Sequence, residues 1–154
     1  MDIKKLASMA LLAFVVLSVV VLARRAAMQT DAPLSSSQDV VVEPDGLVVY
    51  YFHGETRCPT CRNIEAFAHE TVQREFSDEL ARGAVRWRTV DYEAAENGRY
   101  ATKYALVAPT VVLVKFVDGH ETQWRNLERV WELVGERPDF EAYVVSETRS
   151  MLGS

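Results

Sequence analysis

The sequence predicts an α/β domain in which a central mixed sheet is flanked by helices. Segments rich in β-branched and aromatic residues alternate with segments whose apolar residues recur at helical spacing. Strands that are joined by helices pair in parallel, whereas Asp118-Gly119, directly after a long apolar run, indicates a hairpin and an antiparallel edge. The composition is globular, because 49% of the residues are hydrophobic and 25% are charged.

Length and charge limit the function classes. A chain of 154 residues allows one folded domain and not comfortably two. Of its 17 basic and 22 acidic residues, four and three fall in residues 1–39, which leaves 13 and 19, or net −6, for residues 40–154. A net acidic domain lacks the basic surface that binds phosphate backbones, so we expect no nucleic-acid partner.

The N-terminal 25 residues are predicted to be a membrane anchor. Residues 6–23 form an 18-residue stretch without charge, which as a helix reaches ~27 Å of the ~30 Å bilayer core. A cleaved signal peptide is the alternative, but it has a shorter apolar core, and the Arg24-Arg25 flank is a poor cleavage context. We therefore expect an uncleaved, single-pass protein of the cell membrane.

The orientation of this anchor and the tether after it are also predicted. Two basic residues lie on each side of the anchor, and the short leading tail favours an N-terminus inside the cell. The domain is then on the periplasmic or extracytoplasmic side. Residues 26–39 (AAMQTDAPLSSSQD) are small and polar and predict a linker, and the folded domain is expected over residues 40–154.

The first strand and the first helix are the clearest elements. Residues 46–52 (GLVVYYF) are β-branched and aromatic, which is typical of a buried strand. A helix is predicted from Pro59, which suits the first helical position, to a break at Gly83. Its apolar face consists of Ile64, Phe67, Ala68, Val72, Phe76 and Leu80. Its acidic residues are interpreted as a solvated face: Glu65, Glu70, Glu75 and Glu79.

The rest of the domain continues the alternation of strands and helices. Residues 84–92 alternate apolar and charged side chains and predict a second strand, and a weak helix is expected over residues 93–104. The pattern then predicts a strand over 110–117, its hairpin partner over 121–124, and two helices over 127–134 and 138–152.

The two cysteines, Cys58 and Cys61, lie between the first strand and the first helix. Cys58 is expected at the helix start, where free backbone N–H groups and the helix dipole stabilise a thiolate. The thiolate is the nucleophile of cysteine chemistry, so Cys58 and Cys61 are the candidate catalytic residues. The residues expected to tune the thiol pKa are their neighbours Arg57, Pro59, Thr60 and Arg62.

Other uses of the cysteine pair stay open. A structural disulfide over three residues closes a small loop and constrains the unfolded chain little. A zinc site that combines the cysteines with His69 is excluded, because His69 lies ~12 Å beyond Cys61 along the helix, too far for one ion to span. A two-cysteine site for Cu(I), aided by His53, is the remaining metal alternative.

Residues 40–152 resemble the thioredoxin fold. Besides the CPTC motif, residues 103–121 (KYALVAPTVVLVKFVDGHE) look like the thioredoxin segment in which a cis-proline precedes a strand and a hairpin. The resemblance implies that Pro109 is this cis-proline and that Ala108, Pro109 and Thr110 receive an extended substrate chain. More narrowly, YYFHGETRCPTCRNIE looks like a small bacterial group labelled the nitrophenyl compound nitroreductase subunit ArsF family.

The chain departs from thioredoxin at informative positions. Arg57 replaces the Trp before the first cysteine, and Pro-Thr replaces Gly-Pro within the motif. The buried acid that assists deprotonation of thioredoxin's second cysteine aligns with Phe52. Glu55, His53 or water is the expected substitute.

These observations and the resemblance together predict a membrane-anchored thiol–disulfide oxidoreductase. It is expected to act through Cys58 and Cys61 on protein thiols or disulfides, with no cofactor and no metal. The alternative is a binding module of the same fold that captures a soft metal such as Cu(I), or a membrane partner, without turnover.

Overall fold

The computed structural model describes residues 43–153, which contain one four-stranded sheet of order β2-β1-β3-β4. β1 pairs in parallel with β2 and antiparallel with β3, and β3 pairs antiparallel with β4. The mixed sheet flanked by helices, predicted from the sequence, is therefore confirmed. The strands are β1 (Gly46–His53), β2 (Val85–Asp91), β3 (Thr110–Val117) and β4 (His120–Asn126).

Five helices surround this sheet within the described residues. They are α1 (Pro59–Glu75), α2 (Ser77–Ala81), α3 (Arg99–Lys103), α4 (Val130–Leu133) and α5 (Arg137–Leu152). The long helix expected from Pro59 is interrupted at Phe76, whose φ of −128° and ψ of 30° are not helical and separate α1 from α2. The weak helix expected over 93–104 is reduced to α3, because turns occupy residues 92–98.

β1 is the centre of two hydrophobic layers. Its side chains alternate, so Leu47, Val49 and Tyr51 pack into the layer that contains α1 and α5. Val48, Tyr50 and Phe52 pack into the opposite layer. That second layer includes Tyr104 just after α3. Burial on both faces explains why β1 is a continuous apolar run and not an alternating one.

The strand register brings three loops to one end of the sheet. At this end His53 of β1 pairs with Asp91 of β2, and Phe52 pairs with Thr110, where β3 begins. Three connections therefore leave the sheet at the same end: the loop from β1 to α1, the turns after β2 and the loop before β3. This end of the sheet carries the cysteine motif.

The predicted anchor and linker, residues 1–25 and 26–39, lie outside the described residues. Within residues 43–153, no helix has both the length and the apolar character needed to cross a bilayer.

Candidate redox site

Cys58 and Cys61 form a disulfide, with their Cα atoms 5.1 Å apart. Cys58 is the N-cap residue of α1, with an extended backbone, and Pro59 occupies the first turn as predicted. Cys58 is half-buried, whereas Cys61 is only 4% exposed. One cysteine of the pair is thus partly accessible to a partner, and the other is shielded from solvent.

The start of α1 directs polar groups at Cys58. The backbone N–H of Cys61 donates a hydrogen bond to Cys58 Sγ at 3.0 Å. The first turn of α1 contains no acidic residue that would oppose a negative charge there. An N-cap sulfur that accepts a backbone hydrogen bond favours the thiolate after reduction, because the helix dipole acts in the same direction.

The flanking residues have different environments. Arg57 is half-buried and forms an ion pair with Glu65 of α1, whereas Arg62 is exposed. Across residues 43–153 the Arg62 side chain makes no hydrogen bond or ion pair. Glu65 therefore differs from the solvated face expected for the acidic residues of α1, because its carboxylate is paired with Arg57 and partly shielded from solvent.

Tyr51 lies beneath the motif. Its hydroxyl donates a buried hydrogen bond of 2.6 Å to the carbonyl oxygen of Cys61. Burial raises the pKa of Tyr51 to about 12, while the nearby positive charge of Arg57 acts to lower it. The hydroxyl is therefore neutral at physiological pH and anchors the first turn of α1 to β1.

The alignment of Phe52 with the buried acid of thioredoxin does not describe this site. Phe52 packs in the layer on the far side of the sheet, against the ring of Tyr104 at 5.6 Å. Its neighbour Tyr51 is the β1 side chain that faces Cys61. Successive strand residues point to opposite faces, so a count along the sequence that errs by one residue exchanges the two faces.

Neither acid–base substitute proposed from the sequence contacts a cysteine through a hydrogen bond. The Nδ1 atom of His53 is 2.9 Å from the carbonyl oxygen of Gly54. Glu55 is held through its backbone N–H, which donates to the carboxylate of Glu93 at 2.8 Å. Cys61 is thus buried without a carboxylate bonded to it in the described part of the chain.

We expect Tyr51→Phe to lower the free energy of unfolding by about 1 kcal/mol near neutral pH, because it removes one buried hydrogen bond. The raised pKa of Tyr51 means that the folded state holds this proton between about pH 10 and 12, while the unfolded chain loses it. Stability therefore falls as the pH rises through that window. Urea unfolding at several pH values should show a shallower fall for Tyr51→Phe, and an unchanged slope would contradict the assignment.

In the loop before β3, the peptide bond that precedes Pro109 differs from the sequence-based expectation. No peptide bond in residues 43–153 is cis, so the cis bond expected before Pro109 is wrong and the peptide is trans. The trans form is the intrinsically favoured one for an X–Pro bond, by about 0.5–1 kcal/mol. The carbonyl of Pro109 accepts a hydrogen bond from Nε1 of Trp131 at 2.8 Å, and Thr110 donates from Oγ1 to Asn126 Oδ1 at 2.8 Å.

A cavity of about 250 Å³ lies beside this loop. Val107 at its rim is 96% exposed, and Trp131 on α4 is 37% exposed. Ala105, in the left-handed region at φ 52°, turns the chain from α3 toward the loop. The lining residues are Val107, Ala108, Thr110, Asn126, Glu128 and Trp131.

Residues 43–153 contain no group of three or more His, Cys, Asp and Glu side chains placed to hold one ion.

Comparison with protein-family models gave no match, and neither did comparison with curated proteins. The narrower ArsF label therefore gains no support. Among solved structures, the chain is similar to a thioredoxin variant from Entamoeba histolytica at 20% identity, with a TM-score of 0.41, covering 69% of this chain and 86% of that one.

Two further thioredoxins have similar sequence identities, coverages and TM-scores in the comparison with this chain. For that of Fasciola hepatica, identity is 27% and the TM-score 0.37, with 62% and 84% of the two chains covered. For that of Malassezia sympodialis, identity is 21% and the TM-score 0.40, with 73% and 87% covered.

Proposed function

We propose that this chain is a membrane-anchored thiol–disulfide oxidoreductase that acts on protein partners. One observation carries the proposal: half-buried Cys58 caps a long helix and is bonded to buried Cys61 within the first turn. A bridge of this kind adds little as a structural crosslink, because the closed loop is so short. Such a bridge is instead suited to thiol–disulfide exchange, for which one sulfur must be accessible and activated.

The proposed reaction balances as a two-electron exchange. The Cys58 thiolate attacks a partner disulfide, whose S–S bond breaks, and one partner sulfur leaves as a thiolate that takes up a proton. Cys61 then loses its proton to solvent and attacks Cys58, which forms the bridge and releases the second partner sulfur. The dithiol is oxidised and the partner disulfide is reduced. The opposite direction uses the same steps in reverse, with a partner thiolate attacking Cys58.

We propose that Ala108, Pro109 and Thr110 receive the partner chain. They support this role because their loop leaves the sheet at the same end as the cysteine motif, beside the cavity with exposed Val107 at its rim. An apolar side chain of the partner suits this cavity. Val107→Asp should therefore slow reduction of a protein disulfide such as that of insulin while leaving exchange with glutathione disulfide unchanged. Equal slowing of both would contradict the role.

The membrane anchor over residues 1–25 and the exported location of the domain remain part of the proposal. The uncharged stretch over residues 6–23 supports the anchor. The full chain should stay with membranes after carbonate extraction, and external protease should reach the domain in spheroplasts. Release by carbonate would contradict the anchor, and protection from protease would contradict the orientation.

The reduction potential of the full chain tests the redox assignment. The chain would be equilibrated in glutathione or dithiothreitol buffers, and its thiols alkylated and read by gel shift. We expect one reversible two-electron transition of Cys58 and Cys61. A value near −270 mV would indicate a reductant of its partners, and one near −120 mV an oxidant. A pair that never closes reversibly would overturn the proposal and favour the binding module, which Cu(I) titration would then test.

A further inference from the structure

The ion pair of Arg57 and Glu65 lies on the helix face that carries the disulfide. Glu65 lies four residues beyond Cys61, so both side chains project from the same side of α1. Its carboxylate pairs with Arg57, and its Oε1 atom is 3.4 Å from Oγ1 of Thr89 on β2. The Thr89 hydroxyl in turn accepts a hydrogen bond from Nε1 of Trp87 at 3.1 Å. The Glu65 carboxylate is thus held in position by a contact with β2 in addition to its ion pair with Arg57.

Arg57 is close enough to the redox site to affect it. It directly precedes Cys58, and its charge acts on the Tyr51 hydroxyl, which is bonded to the Cys61 carbonyl. Its side chain and that of Glu65 are 32% and 23% exposed, so solvent screens the pair only in part. An arginine in this position stabilises a thiolate, unless its charge is already balanced.

We propose that Glu65 is a positioning residue of the redox site, which holds the Arg57 guanidinium along α1 and limits the positive charge available to a Cys58 thiolate. This inference rests on the proposed function and deepens it. The helix start and Arg57 favour the reduced form of the pair, and Glu65 opposes them. The carboxylate therefore makes the site less oxidising than its helix start and its arginine alone would.

Other charged and titratable groups belong to the elements that meet at this end of the sheet. Arg62 lies on α1, Glu128 lies at the rim of the cavity, and Tyr51 projects from β1. The remaining groups are contributed by the end of β1, its loop to α1, and the end of β2 with the turn after it: His53, Glu55, Asp91, Tyr92 and Glu93. All of these stay in place when Glu65 or Arg57 is substituted, so their effects cancel when the variants are compared.

The test compares four variants of the full chain: Glu65→Gln, Arg57→Gln, the double variant, and Glu70→Gln. Glu70→Gln is the matched control. It removes the same charge from the same helix, but the native Glu70 side chain pairs with Arg137 of α5 and not with Arg57. The rate of Cys58 alkylation by iodoacetamide across a pH series reports the thiolate fraction. The equilibrium constant with glutathione reports the stability of the reduced pair. Thermal unfolding confirms that each variant is folded.

We expect Glu65→Gln to raise the thiolate fraction of Cys58 at neutral pH about three- to tenfold, and to shift the glutathione equilibrium toward the dithiol. Glu70→Gln should match the parent chain. In the Arg57→Gln background, Glu65→Gln should have little further effect, because the carboxylate acts through the arginine. An equal effect in both backgrounds would overturn the proposal, since Glu65 would then act by its own charge alone.

No effect of Glu65→Gln beyond that of the control would also overturn it. These failures are distinct from failure of the redox function itself. In the latter case, the parent chain would show no reversible bridge with glutathione.

Discussion

Cys58→Ser should abolish thiol–disulfide exchange, reducing the rate with glutathione disulfide or insulin to that of buffer alone. A serine hydroxyl is not ionised at neutral pH and forms no disulfide. Reduction of a partner therefore lacks its nucleophile, and oxidation of a partner lacks the Cys58–Cys61 bridge that the partner thiolate would attack. The readout is the rate of mixed-disulfide formation, followed by mass spectrometry of the intact chain. The fold should persist, because Cys58 is a half-buried N-cap residue and serine is a favoured N-cap.

Cys61→Ser is the matched control for the roles of the two sulfurs. Its Cys58 thiolate should still attack a partner, but no second thiol resolves the product. A long-lived adduct on Cys58 should therefore accumulate, in a ratio of one per chain. The burial of Cys61, at 4% exposure, explains why it is assigned the second step. Retained exchange in Cys58→Ser together with lost attack in Cys61→Ser would mean that the roles are reversed.

Phe140→Ala should lower the free energy of unfolding by about 3–5 kcal/mol, a large share of the 5–15 kcal/mol typical of a domain. Phe140 on α5 is fully buried and meets Phe67 of α1 edge to face, with ring centroids 5.9 Å apart. The substitution leaves a cavity between the two helices that cover one face of the sheet. Urea unfolding of the oxidised chain measures the loss as a shift of the midpoint.

Two controls make this result specific. Phe140→Leu keeps most of the apolar volume and should lose markedly less stability than Phe140→Ala. Val107→Ala truncates a side chain that is 96% exposed, so its effect should stay within about 0.5 kcal/mol. A loss below about 1 kcal/mol for Phe140→Ala would show that α5 is not fastened to α1 through this contact.

The strands and the start of α1 could be predicted from local sequence patterns. The run of residues 46–52 fits a central strand, because a strand buried on both faces must be apolar throughout. Pro59 after Cys58 marks the first helical turn, because proline loses no hydrogen bond there. Asp118-Gly119 marks the hairpin of β3 and β4, and Asp118 indeed adopts a positive φ of 53°. Each of these features depends on residues adjacent in the chain.

Local residue patterns are thus enough to predict the mixed α/β class and the placement of Cys58 and Cys61 at a strand–helix junction. Three other contacts become visible only in the assembled fold. Tyr51, and not Phe52, faces Cys61; Glu65 pairs with Arg57; and Trp131 donates a hydrogen bond to the Pro109 carbonyl. These contacts join different elements of the fold. Which face of β1 meets α1, and where the loop before β3 packs, depends on how the elements assemble, and no local periodicity encodes it.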